Sequence, residues 1–185
     1  MTITKSEGKH MKMGHVYGPG KGVEVPVKAS QYFHRLGGHF VYLDSNGSAV
    51  DACATAGGAA AEIYGWIDTP KDASGYNSWK SNANTDDIFP SKVYCINGLE
   101  DRFRIPMAFS TFDSITATIA QSFVGAGCNT ASTGEAGTTY THLQKVNYSS
   151  NTEASINLTI HEIDYASSTC IVSIRPTMMQ RGITV

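Results

Sequence analysis

The chain has 185 residues, enough for one domain with a substantial core. Charged residues make up only 16% of it and the net charge is −2 at pH 7, so it lacks the clustered lysine and arginine that nucleic acid requires. No apolar run approaches the roughly 18 residues of a membrane span and no export signal opens the chain, so we expect no membrane partner, no classical secretion and synthesis in the cytoplasm.

The N-terminal segment, residues 1–28, is predicted to be an extended arm. Its first 22 residues combine five glycines with four lysines and show almost no periodic apolar pattern, so they bury too little to fold alone. We therefore expect a neighbouring molecule to hold the arm. The interface residues expected there are Lys9, Lys12, His15, Tyr17 and Lys21.

Alternating valines at 23, 25 and 27 give the first strand signal, and Pro26 favours an edge position for it. A hairpin is predicted next, because residues 40–43 and 48–52 flank an Asn-Gly turn. Residues 63–68 read as a strand, with Trp66 expected in the core. A second hairpin is predicted from residues 93–96 and 102–105 through Asn97-Gly98, with Pro106 ending the pair.

The polar segment 71–87 is predicted to be a long surface loop that carries Tyr76 and Trp79. Exposed aromatic residues of this kind anchor protein interfaces or stack on sugars, so both join the candidate interface. One short helix is expected at 110–123, followed by a loop at 125–138. Three further strands are predicted at 143–148, 155–163 and 170–175.

These elements predict a mainly β fold, a small β-sandwich or β-barrel with one short helix and extended N- and C-terminal arms. The core domain would span residues 29–176, and residues 177–185 would form the C-terminal tail. The sequence leaves open whether the four cysteines are paired. The interpretation that it favours is that they are buried and free, since no C-x-x-C pair occurs.

No constellation of residues indicates catalysis. Four of the six histidines lie in the first 39 residues, but their spacing does not suit a metal site. There is no G-x-S-x-G turn, residues 18–22 resemble a phosphate loop only superficially, and Glu100-Asp101 is the kind of acidic pair found in solvated turns. We therefore predict no catalytic, cofactor-binding or metal-binding residues, and no enzyme activity.

Four blocks of sequence carry a resemblance. They are RLGGHFVYLDSNGS at 35–48, IYGWID at 63–68, RFRIPM at 102–107 and IVSIRP at 171–176. In this order, after an extended arm, they resemble the capsid decoration, or cement, proteins of tailed bacteriophages. The resemblance implies a small β-rich module on the outside of an icosahedral head, often a trimer, that reinforces contacts between subunits of the major capsid protein.

Two alternatives stay open. One is a carbohydrate-binding or host-adhesion module on a virion surface, with Tyr76 and Trp79 as the sugar platform. The other is a small jelly-roll capsid protein whose arm lines the shell. The arm has five lysines against two glutamates, too little positive charge to neutralise a packaged genome, so this last alternative ranks lower.

Overall fold

The structure is a computed structural model. It describes residues 13–28, 38–52, 62–68, 92–108, 124–125, 127–133, 143–147, 157–164, 167 and 169–180. The predicted helix at 110–123 and the loop at 71–87 lie outside these residues. Within them the fold is mainly β, as predicted, and no helix reaches seven residues.

Eleven strands and one short 3-10 helix make up the described secondary structure. They are β1 Gly14–Tyr17, β2 Gly22–Pro26, β3 His39–Leu43, β4 Ala49–Asp51, β5 Gly65–Ile67, β6 Lys92–Ile96, β7 Arg102–Ala108, β8 Gly127–Thr133, β9 Leu143–Asn147, β10 Leu158–Asp164, β11 Thr169–Ile174 and the 3-10 helix Pro176–Met178.

The strands form two sheets. The six-stranded sheet has the order β1-β7-β11-β10-β8-β9, and a short parallel pairing also joins β7 to β9. The five-stranded sheet has the order β2-β6-β5-β3-β4. Neither sheet closes into a barrel, so of the two predicted architectures the fold is consistent with the sandwich.

The first predicted hairpin is confirmed. Strands β3 and β4 pair antiparallel, with Leu43 opposite Ala49, and Gly47 takes the positive φ of 76° that the turn requires. The Asp44 carboxylate accepts the backbone N–H groups of Asn46 and Ser48. Burial acts to raise the pKa of Asp44, but these two bonds and the Lys28 ammonium outweigh it and hold that pKa below its ordinary value.

The second predicted hairpin is wrong. Strands β6 and β7 do not pair with each other, because β6 lies between β2 and β5 in one sheet while β7 lies between β1 and β11 in the other. The Asn97-Gly98 turn instead carries the chain from one sheet to the other. Pro106 does not end the strand either, since it lies within β7 opposite Thr169.

Residues 14–28 are not the free arm that the sequence indicates. Strand β1 pairs with β7 and β2 pairs with β6, so this stretch supplies an edge strand to each sheet. The edge position predicted for Pro26 is confirmed, since β2 is the outer strand of its sheet. Proline has no backbone N–H to donate to a second neighbouring strand, so it fits an edge. The alternating valines predicted β2, and Val25 is buried in the core. Strand β1 has no such pattern, so only its backbone pairing with β7 reveals it.

The structure differs from the prediction at residues 127–133 and in the C-terminal tail. Residues 127–133, expected to be loop, form β8, whose partner β9 was predicted. The described part of the tail also packs on the body: the Gln180 side chain accepts the N–H of Leu43 at 2.7 Å and donates to its carbonyl at 2.9 Å. The side-chain amide thus satisfies both backbone groups of one residue in β3.

The strands predicted at 143–148, 155–163 and 170–175 are confirmed.

The main core lies between the two sheets. Phe40 and Trp66 of the five-stranded sheet meet Phe103 of the six-stranded sheet, with ring centroids 4.9 to 5.6 Å apart. All three rings are buried, which confirms Trp66 as a core residue. Aliphatic side chains of β10 and β11 pack around them, namely Leu158, Ile160, Val172 and Ile174.

A second buried cluster lies on the other face of the five-stranded sheet. It contains Val25, Val41, Leu43, Ala49, Ile67, Val93 and Cys95. A single parallel bridge from Val27 to Ala49 joins the two outer strands of this sheet. The sheet therefore curls around a small core of its own, and the inward and outward side chains of β3 and β5 serve different clusters.

We predict that Phe40→Ala lowers the free energy of unfolding by about 3 to 5 kcal/mol, since it removes one ring of the aromatic group that both sheets share. Urea denaturation measures the change. Lys92→Ala, at an exposed position of β6, is the control and should stay within about 0.5 kcal/mol of the original chain. Equal losses in the two variants would contradict the assigned core.

Cys95 and Cys170 are free and buried, as predicted for the cysteines. Burial raises the pKa of the Cys95 thiol to about 12 and also raises that of Cys170. A Cys53→Ser, Cys128→Ser variant should therefore show almost no thiol reactivity towards an aromatic disulfide reagent at pH 8. Both remaining thiols should react in guanidinium chloride. Fast reaction of the folded variant would show that these two sites are open to solvent.

Candidate functional site

Residues 18–21 join β1 to β2 and so connect the edge strand of one sheet to the edge strand of the other. The turn 97–101 makes a second crossing between the same sheets, from β6 to β7. The two crossings lie side by side, since the N–H of Asn97 donates to the carbonyl of Lys21 at 3.3 Å. Together they form one end of the sandwich.

A buried carboxylate ties these crossings together. Asp101 is fully buried, and its Oδ1 lies 2.9 Å from both the backbone nitrogen of Gly20 and Nε2 of His15. Its Oδ2 accepts the N–H of Gly98 at 3.1 Å. Several donors on one buried carboxylate fix the backbone around it. The loop at 18–21 is therefore anchored, although its glycines suggest mobility.

Glycine is required where the loop passes this carboxylate. Gly18 has a φ of 103°, which other residues rarely adopt, and a side chain there would run into Asp101. The Tyr94 hydroxyl braces the far end of the loop, accepting the N–H of Gly22 at 2.7 Å. It also donates to the carbonyl of Gly20 at 3.3 Å. The glycines thus permit close approach of the loop to its supports.

Four large apolar residues border this loop and remain in solvent. Tyr17 and Val23 adjoin it in sequence, Tyr94 is bonded to it, and Leu99 lies in the turn that Asp101 holds beside it. Their exposed fractions are 55%, 45%, 51% and 46%. Val23 lies opposite Cys95 and Tyr94 lies opposite Glu24, so Val23 and Tyr94 point to opposite faces of the five-stranded sheet. The four exposed side chains therefore surround the loop, and exposed large apolar residues of this kind can serve as contacts in an interface. We call Tyr17, Val23, Tyr94 and Leu99 the loop surface.

Three of the interface residues predicted from the sequence lie here. Tyr17 belongs to the loop surface and Lys21 is exposed at its centre, whereas the ring of His15 packs edge-on against Phe103 and contacts Asp101. His15 therefore supports the loop from below. The other predicted interface residues, Lys9, Lys12, Tyr76 and Trp79, lie outside the described residues.

Sequence reasoning missed Asp101, Tyr94 and Leu99. The sequence indicates solvated turn residues at Glu100 and Asp101, but only Glu100 is exposed. The contacts that bury Asp101 come from residues 81 and 86 positions away. The one local indication was the Asn97-Gly98 turn, because an acidic residue that follows such a turn can accept the backbone N–H of the turn glycine.

Within the described residues, no group of three or more His, Cys, Asp or Glu side chains is placed to hold a metal ion. The helices there are also too short to pass through a membrane. A buried pair does occur in the five-stranded sheet, where His39 Nδ1 lies 2.8 Å from Asp51 Oδ2. Both side chains are buried and the pair links β3 to β4, so it supports the fold.

Comparisons with protein-family models, with curated proteins and with solved structures gave no match.

We predict that Asp101→Ala lowers the free energy of unfolding by about 2 to 3 kcal/mol, because it leaves the N–H groups of Gly20 and Gly98 without their acceptor. Urea denaturation measures the loss, and hydrogen exchange should show faster exchange of the Gly20 amide. Glu100→Ala is the matched control, since it removes the exposed neighbouring carboxylate. If both variants unfold alike, Asp101 does not anchor the loop.

Proposed function

We propose that this protein is a virion structural protein that decorates an icosahedral bacteriophage capsid from outside and binds across subunits of the major capsid protein as a trimer. The observation that carries the proposal is the loop surface. It supplies exposed aromatic and aliphatic side chains on a loop whose shape is already fixed. A fixed loop loses little conformational entropy when it docks, which favours binding to a rigid shell.

The composition supports the same role. With 16% charged residues, the surface of the chain carries little long-range repulsion, so it suits close packing in a fixed lattice. Many modest contacts suffice there, because linked copies act on neighbouring sites at high effective concentration. Lys21, exposed within the loop, would add a polar contact at the rim of such an interface.

The predicted arm contributes less to this proposal than the sequence suggested. Residues 14–28 and 177–180 contact the body of the chain itself, so they need no neighbour to hold them. Residues 1–12 and 181–185, which lie outside the described residues, remain candidates for a tether to adjacent subunits. This narrows the deletion that tests the tether, since removing residues 1–22 would also remove β1 and much of the anchored loop.

The proposal predicts that Val23→Glu weakens binding to empty heads of the source phage by about tenfold, because a carboxylate would be buried against the shell. Co-sedimentation with purified heads measures the affinity. Ser45→Glu adds the same charge to the exposed turn between β3 and β4, at the edge of the five-stranded sheet opposite β2, and it should bind as the original chain does.

A deletion of residues 2–12 belongs to the same experiment and reports on the tether separately. Loss of binding in this variant alone would assign docking to the tether and contradict the role of the loop surface. Failure of the original chain to bind heads at any concentration would overturn the proposed function itself. Retention on immobilised glycans that Trp79→Ala abolishes would instead favour the adhesion alternative.

A further inference from the structure

The outer face of the six-stranded sheet, turned away from the core, carries several polar residues around the buried Ile171. Arg102 and Arg104 lie two positions apart on β7 and so share a face. The register of β11 and β7 pairs Ile171 with Arg104 and Val172 with Phe103. Continued by one residue, the same register would bring Ser173 beside Arg102. Ser173 in turn lies opposite Thr159 of β10. The cluster is therefore built from three neighbouring strands.

His161 completes this cluster. It is the extra residue of a β-bulge in β10, between Ile160 and Glu162, and its Nε2 lies 2.8 Å from Ser173 Oγ. A bulge re-aims a side chain, as it does here towards the neighbouring strand. Burial lowers the pKa of His161 and the positive charge of Arg102 lowers it further, which favours the neutral form of the ring. The arginines thus remain the cationic groups beside Ser173.

Neither arginine forms an ion pair with another residue that the structure describes. The Nε atom of Arg104 is buried and has no hydrogen-bond partner. A buried guanidinium donor without a partner is costly, and such groups commonly mark a place where water or an ion binds. Glu162 is exposed on the far side of Ile171 and forms no described ion pair.

We propose that Arg102, Arg104 and Ser173 form a binding site for a phosphate group. Two guanidinium groups match the two negative charges of a phosphate and donate hydrogen bonds in a planar fork. If His161 donates from Nε2 to Ser173 Oγ, the hydroxyl proton of Ser173 is free to donate to a third phosphate oxygen. A carboxylate carries one charge and fits this set of donors less well.

This site is separate from the proposed docking role. The register places Tyr17 of the loop surface opposite Arg102, so the two surfaces adjoin, but they differ in chemistry. The loop surface is apolar and stands at one end of the sandwich, whereas the arginine cluster lies on the face of a sheet. Binding of phosphate can therefore be measured on the purified chain without capsids.

Titration followed by NMR of the His161 ring tests the proposal, with His161→Gln identifying its signals. Inorganic phosphate and phenyl phosphate are added in parallel at low salt, with acetate as the comparison. We expect a saturable shift with at least one phosphate compound and binding about tenfold weaker with acetate. Binding of both phosphates indicates a free ion as ligand, and binding of phenyl phosphate alone indicates the phosphoryl group of a larger molecule.

Arg102→Gln and Arg104→Gln should each weaken phosphate binding by about tenfold. Lys92→Gln removes the same charge from an exposed position of the other sheet and should leave the affinity unchanged. If Arg104→Gln does not fold, the exposed Arg102 still supplies the test. The absence of a saturable shift, or equal weakening in Lys92→Gln, would overturn the site.

Discussion

The described chain passes between its two sheets at neighbouring points, and the buried carboxylate of Asp101 holds them together. It accepts backbone N–H groups from Gly20 in one crossing and from Gly98 in the other, and it contacts His15 of β1. A buried carboxylate is costly unless such donors surround it, so the crossings and the charge depend on each other. The position of both edge strands, β1 and β2, follows from this arrangement.

The anchored crossings explain why large apolar residues stand exposed at that end of the sandwich. A loop whose backbone is already satisfied needs no side-chain burial to hold its shape, so Tyr17, Val23 and Leu99 are left to solvent. Asp101 holds the backbone of this loop from inside the sandwich, and the apolar side chains around the loop face solvent. A loop that docks without changing shape requires this combination. The arginine cluster on the adjoining sheet face has the opposite character, with cationic donors that lack a described counterion.

Much of the strand content could be predicted from the sequence, because short turns and alternating side chains are local features of the chain. The Asn-Gly turn defines the hairpin of β3 and β4, and alternation predicts Leu158 and Ile160 of β10 as core residues. The second Asn-Gly turn led to a wrong hairpin prediction, since the same dipeptide also occurs where the chain passes from one sheet to the other. Strand β8 was missed because its residues are small and polar, so its pairing with β9 had no apolar pattern to reveal it.

The sequence by itself determined that this is a mainly β protein with low charge and a core that includes Trp66, and it favoured buried free cysteines without deciding their pairing. Short-range turn chemistry and side-chain alternation carry that information. Only the tertiary structure decided that residues 14–28 belong to the sheets, that Asp101 is buried and that Arg102 lies beside Ser173. Each of these depends on contacts between residues many tens of positions apart, and local patterns do not encode such distances.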